Sequence, residues 1–163
     1  MATVHDWKEG PIEWKTINTF SKRSRSLEIY IENETVNTLK LDEDYLDSGE
    51  QVESTFKKVL VPESSWLTLV ANKSPSIAPS VGGGLKYRLE GKDHILYLGF
   101  RNPFRGDPVF FVYLSNVEHT AKWAYDEAKD GSFKSSEFGE RRITAEMVNA
   151  RYCASKRIVF RLE

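Results

Sequence analysis

Three histidines (His5, His94, His119) and one cysteine (Cys153) are the chain's only imidazole and thiol groups, and they lie far apart in sequence. Zinc sites draw on ligands at short, fixed spacings, so no metal is expected. Neither G-x-S-x-G nor H-E-x-x-H occurs, and Gly82-Gly83-Gly84 lacks the G-K-[ST] of a phosphate loop. Those glycines read instead as a place where strands pass closely or a sheet bends. No motif sets a nucleophile beside a base and an orienting acid. The residues therefore point to a non-enzyme without a cofactor, whose chemistry is to hold a partner. Arg105-Gly106-Asp107 spells an adhesion tripeptide, but before Pro108 it is ordinary turn chemistry. Asn33-Glu34-Thr35 and Asn72-Lys73-Ser74 fit the glycosylation acceptor pattern, and both read as solvent-facing turns.

Composition narrows the partner. The chain has 163 residues, 40% hydrophobic and 29% charged, enough to bury a core without disulfides or metal. Its 23 Lys+Arg against 24 Asp+Glu leave a net charge of −1. That balance supplies no general pull toward nucleic acid, which is excluded as a partner, and an anionic surface would need a local basic patch. A lone cysteine is neutral on compartment, with a lean toward a reducing one. The first 25 residues carry no secretory apolar stretch, and no apolar run approaches the ~18 residues of a spanning helix. The expectation is a cytoplasmic or released protein able to associate with membranes.

The elements that would position a binding site are mostly strands. Leu27, Ile29 and Ile31 alternate with Glu28, Tyr30 and Glu32, the period-2 signature of a strand with one dry and one wet face. Asn33-Glu34-Thr35 breaks that run, and Val36, Leu39 and Leu41 resume it. Further strands are expected over 51–61, 65–71, 84–90, 95–100, 109–114, 147–153 and 156–162. Gly91-Lys92-Asp93 reads as a tight hairpin turn. One helix is expected over 117–128, where Ala121, Ala124, Tyr125 and Ala128 fall at helical spacing and Gly131 supplies the stop. Residues 129–142 read as loop. The whole is a mainly β protein, a β-sandwich flanked by one or two short α-helices.

Residues 1–25 differ in composition and form an N-terminal arm ahead of a single sandwich domain, 26–163. Trp7, Trp14, Ile12, Ile17 and Phe20 stand among polar residues, Pro11 interrupts any helix, and Lys22, Arg23 and Arg25 end the arm. Two readings follow. The arm packs its aromatics on the sandwich, or it dips Trp7, Trp14 and Phe20 into a lipid interface beside its basic end.

Several short motifs recur in order in one family. They are Asn33 after an alternating strand, Tyr45 with Ser48-Gly49, the strand end Val59 to Pro62, and the glycines before Leu85-Lys86-Tyr87. Asn102-Pro103-Phe104 and Tyr113-Leu114-Ser115 followed by a helical Tyr125 continue the series. In this pattern, over residues 26–163, the chain resembles the actinoporin-like family. The resemblance implies a sandwich of about a dozen strands that binds membranes through phosphocholine headgroups. It also implies pores, opened by several copies through a detachable N-terminal helix. The wider superfamily includes fungal fruit-body lectins, so a soluble carbohydrate-binding lectin without pore-forming activity is the alternative.

Carried over by position, Ser48, Pro103 and Tyr125 stand where the family surrounds the headgroup. Arg101 replaces a small polar residue there, and its guanidinium suits a phosphate or a sugar hydroxyl. Arg105 begins the short loop that takes the place of an aromatic membrane loop. Lys129 and Asp130 replace a tyrosine pair. The resemblance thus implies a lipid headgroup or glycan at Ser48, Arg101, Pro103 and Tyr125, with Trp7, Trp14, Phe20 and Arg105 as membrane contacts.

Overall fold

A computed structural model describes Phe20 and residues 22–53, 56–73, 78–152 and 156–163, with backbone alone at 51–53. Trp7, Trp14 and Cys153 lie outside the described residues. Eleven strands and one helix are described: β1 (Ser26–Asn33), β2 (Leu39–Ser48), β3 (Glu50–Glu53), β4 (Val59–Leu60), β5 (Ser64–Ala71) and β6 (Val81–Leu89) come first. They are followed by β7 (Ile95–Asn102), β8 (Val109–Ser115), α1 (Ala121–Ala128), β9 (Ser135–Phe138), β10 (Arg141–Asn149) and β11 (Lys156–Leu162). Two sheets stack as a sandwich. One runs β3-β5-β1-β11-β10-β9 and the other β4-β2-β6-β7-β8. All pairings are antiparallel except β1 with β11, which is parallel. The core lies between the sheets, where Leu27, Ile29 and Ile31 meet Leu85, Tyr87, Leu98 and Phe100.

β1 departs from expectation in one respect: all eight of its residues are buried, so it has no wet face. Its inner residues line the core, and its outer face is covered by Phe20 and by the backbone of Arg151 and Tyr152. Glu28 is fully buried and accepts hydrogen bonds from Arg157 Nε (2.6 Å) and from the backbone N–H groups of Arg151 and Tyr152. Glu32 accepts from Arg161 Nε at 2.7 Å, and Tyr30 Oη pairs with Ser65 Oγ at 3.0 Å. Burying a carboxylate demands such partners, because an unpaired charge would cost several kcal/mol. Of the two readings of Phe20, membrane contact or packing on the sandwich, the second holds: it is fully buried beside Tyr30, Leu67, Leu69 and Val159.

Neither acceptor-pattern asparagine faces solvent. Asn33 is fully buried; its Nδ2 donates to the Asn37 and Leu60 carbonyls and its Oδ1 accepts from Thr35, so it fixes the turn out of β1. Asn72 is buried as well and exchanges hydrogen bonds with the Arg25 backbone.

The single strand expected over 51–61 is two strands on different sheets. β3 pairs with β5 and β4 with β2, so the chain crosses between the layers with Phe56 in the core. Gly49 makes the preceding switch of sheets, at φ +93°, where a Cβ would lie 2.6 Å from the Ala71 carbonyl oxygen. β9 falls inside the expected loop; Ser135-Ser136-Glu137 carries no apolar alternation, and it is an edge strand with two exposed positions. The last two strands are β10, which begins six residues ahead of its expected start at 147, and β11.

Candidate functional site

The expected helix begins four residues late because 117–120 is held outside it by side chains of the sheet, with Thr120 extended. Tyr97 Oη donates to the Val117 carbonyl (2.7 Å) and accepts from His119 N–H (2.6 Å). Glu118 is gripped by Lys86 Nζ (2.7 Å) and Arg88 Nη2 (2.6 Å). Thr120 then caps α1, its Oγ1 accepting from Trp123 N–H, and Glu43 of β2 accepts from Ala121 N–H. The helix lies directly on the outer face of the five-stranded sheet. At Gly84 a Cβ would sit 2.0 Å from the Ala121 carbonyl oxygen, and at Gly99 2.2 Å from that of Ala124. The glycine patch is therefore a seat for α1, a close approach as expected, though of helix to sheet.

This seating brings the candidate residues together. Ser48 of β2 registers with Gly82 of β6, and Gly82 with Arg101 of β7. Over this row stands Tyr125 of α1: a Cβ on Gly82 would lie 2.6 Å from Tyr125 Cε1 and 3.4 Å from Arg101 Cγ. Ser48 Oγ accepts from Ser80 Oγ at 3.2 Å. Pro103 follows two residues after Arg101, in a loop tied by Arg25, whose Nε donates to the Pro103 carbonyl (3.0 Å) and Nη2 to that of Phe104 (2.9 Å). Asn102 Nδ2 adds a bond to the Ser26 carbonyl. Arg105 is exposed on this loop beside the Phe104 ring, at 5.6 Å.

Sequence reasoning missed the carboxylate at the centre. Asp47 accepts from Tyr45 Oη and Tyr125 Oη, both at 2.9 Å, and the two rings stand 5.8 Å apart. Burial, then the bond to Asp47, pushes the Tyr125 phenol up to about 12, with Arg101 opposing. Its own bond to Asp47 raises the Tyr45 phenol. Both tyrosines therefore remain donors at neutral pH. The i, i+2 spacing of Tyr45 and Asp47 on one strand face was the available signal.

Lysines occupy the ring faces. Lys129 Nζ lies 4.7 Å from the Tyr125 centroid and Lys122 Nζ 6.0 Å from that of Tyr45, and both pair with Asp126. Arg101 is half-buried and meets no carboxylate among the described residues. Tyr125 itself is buried, so three cations face two carboxylates, Asp47 and Asp126, on a ledge able to take an anion at Arg101 and a cation at the exposed Asp47 beside the half-buried Tyr45 ring. Among the described residues, no three His, Cys, Asp or Glu side chains are grouped to hold a metal, and no helix is long and apolar enough to cross a membrane.

Comparison with known proteins defines a fold. No family model matches the chain, and no curated protein does. Among the solved structures it is similar to the lipid binding protein Nakanori, at a TM-score of 0.70 over 85% of this chain and 70% of that one, with 11% identity. The two share a β-sandwich architecture.

Proposed function

We propose that this chain is a peripheral membrane-surface binder of the actinoporin-like type, holding a phospholipid headgroup on the ledge of Ser48, Arg101, Pro103 and Tyr125. The observation that carries the reading is the convergence of Ser48, Arg101 and Tyr125 around the bare backbone of Gly82. In it the Arg101 guanidinium takes the phosphate, while Asp47, held by the Tyr125 hydroxyl, and the half-buried Tyr45 ring take the ammonium end. The shared fold with a protein described as lipid binding supports the same reading. Of the arm at residues 1–25, Phe20 and Arg25 are anchored on the 26–163 domain, so in this reading the residues ahead of Phe20 are the part that several assembled copies insert to open a pore.

Co-sedimentation with phosphatidylcholine vesicles tests binding, and release of a trapped dye tests the pore. Arg101→Ala and Tyr125→Ala should each weaken vesicle binding by about 5–30-fold, the worth of one charge-assisted or cation–π contact. Vesicles ignored by the wild-type protein, with a glycan array giving signals that free sugar abolishes, would replace this reading with the lectin one.

A further inference from the structure

At the other end of β2 from Ser48, roughly 30 Å along a ten-residue strand, a groove of about 660 Å³ opens between β4 and β5. Its walls are Lys57, Lys58, Val59, Val61 and Trp66, over a floor that includes the buried Leu60. The space lies within the range of small-molecule sites.

The lining is chemically uneven. Val59 is 44% exposed and Val61 54%, an unusual outlay of β-branched surface beside a half-buried tryptophan. The groove's hydroxyls are already engaged: Ser64 Oγ donates to the Val61 carbonyl at 2.6 Å, and Ser65 Oγ pairs with Tyr30 Oη. A sugar would find few free partners there, whereas an aliphatic chain needs none. The cations are placed by a fixed backbone. Tyr87 Oη donates to the Lys57 carbonyl and Leu41 N–H to that of Lys58, both at 2.8 Å. Lys57 Nζ lies over the Trp66 ring, 4.2 Å from its centroid. Neither lysine meets a carboxylate among the described residues, and the nearby Glu63 is exposed on the turn with no ion pair to either.

From this pairing of an apolar trough with two lysines that meet no carboxylate among the described residues, we propose that the groove binds a single-chain amphipathic carboxylate of the fatty-acid type. Its chain lies along Val59, Val61 and Trp66, and its carboxylate sits between Lys57 and Lys58. The five residues from Lys57 to Val61 span at most ~17 Å, which suits a chain of medium length. This site is separate from the Gly82 ledge and stands whether or not that ledge binds lipid.

The test titrates sodium decanoate, below its micelle concentration, into the full-length protein while Trp66 emission is followed, with Trp66→Phe as the blank. Calorimetry on the same samples gives a second reading. The expected result is saturable one-to-one binding, weakened ~5–10-fold in Lys57→Ala/Lys58→Ala. It is retained in the doubly Arg-substituted protein and unchanged in Arg101→Ala. Neutral 1-decanol should bind correspondingly less tightly. No saturable response, a response undiminished without the lysines, or decanol binding as tightly as decanoate overturns the proposal.

Discussion

On the outer face of the six-stranded sheet, the polar residues of β1 are sealed in: Glu28 and Glu32 are buried against Arg157 and Arg161. On the outer face of the five-stranded sheet, Gly82, Gly84 and Gly99 replace side chains, a helix settles on bare backbone, and charged groups gather at its margin in partial contact with water. Both faces belong to strands whose inner positions fill one core. The difference lies in how each disposes of its outward residues. Paired, desolvated charges hold a structure in one arrangement, because neither partner can leave alone. Arg101, half-exposed and without a described carboxylate, remains available to a ligand.

Removing one charge from the sealed face should have the largest effect. Glu28→Ala leaves Arg157 and two backbone N–H groups without their acceptor and should cost about 3–5 kcal/mol in denaturant unfolding. A loss similar to that of an exposed glutamate would break the contrast between the faces. Next, Gly84→Ala drives a methyl into the Ala121 carbonyl and should cost about 1–3 kcal/mol. It should also weaken headgroup binding by displacing Tyr125. Unchanged binding would separate the helix seat from the ledge.

Alkaline pH probes both faces at once, since Tyr30 on one and Tyr125 on the other each have a phenol raised from 10 to about 12. The folded state holds these protons more tightly than the unfolded chain. Their contribution is therefore present below pH 10 and is lost as pH rises toward 12, by roughly 1–2 kcal/mol for each phenol once partial screening by solvent is allowed for. Tyr30→Phe and Tyr125→Phe should each flatten part of that slope. The smallest expected effect is at the ledge itself. Lys129→Ala clears the Tyr125 ring of a resident ammonium and should raise affinity for phosphocholine vesicles by about 2–5-fold. Weaker binding would mean that Lys129 holds the phosphate instead.

Much of this arrangement was legible in the chain. The alternation of Leu27, Ile29 and Ile31 gave the core face of β1, and Gly91 between two alternating runs marked the hairpin of β6 and β7, with its backbone at φ +80°. The family resemblance implied a common site for Ser48, Arg101 and Tyr125, and four elements bring them together around Gly82. What failed had physical causes. Period-2 patterning says which residues share a face but not what covers it, so it gives Glu28 a wet face that the fold covers, while Phe20 follows the packing reading of the arm. Polar edge strands such as β9 carry no alternation to detect. The Arg25 clamp on Pro103 and Phe104 joins residues 78 and 79 positions apart, a distance that no local pattern spans.

Titration with a soluble phosphocholine headgroup, read on assigned backbone amide resonances, tests the ledge most directly. Saturable shifts centred on Ser48, Gly82, Arg101 and Tyr125, and their loss in Arg101→Ala, are the predicted result. Shifts confined to another surface, or a protein that binds phosphatidylcholine vesicles while these four amides stay still, would contradict it.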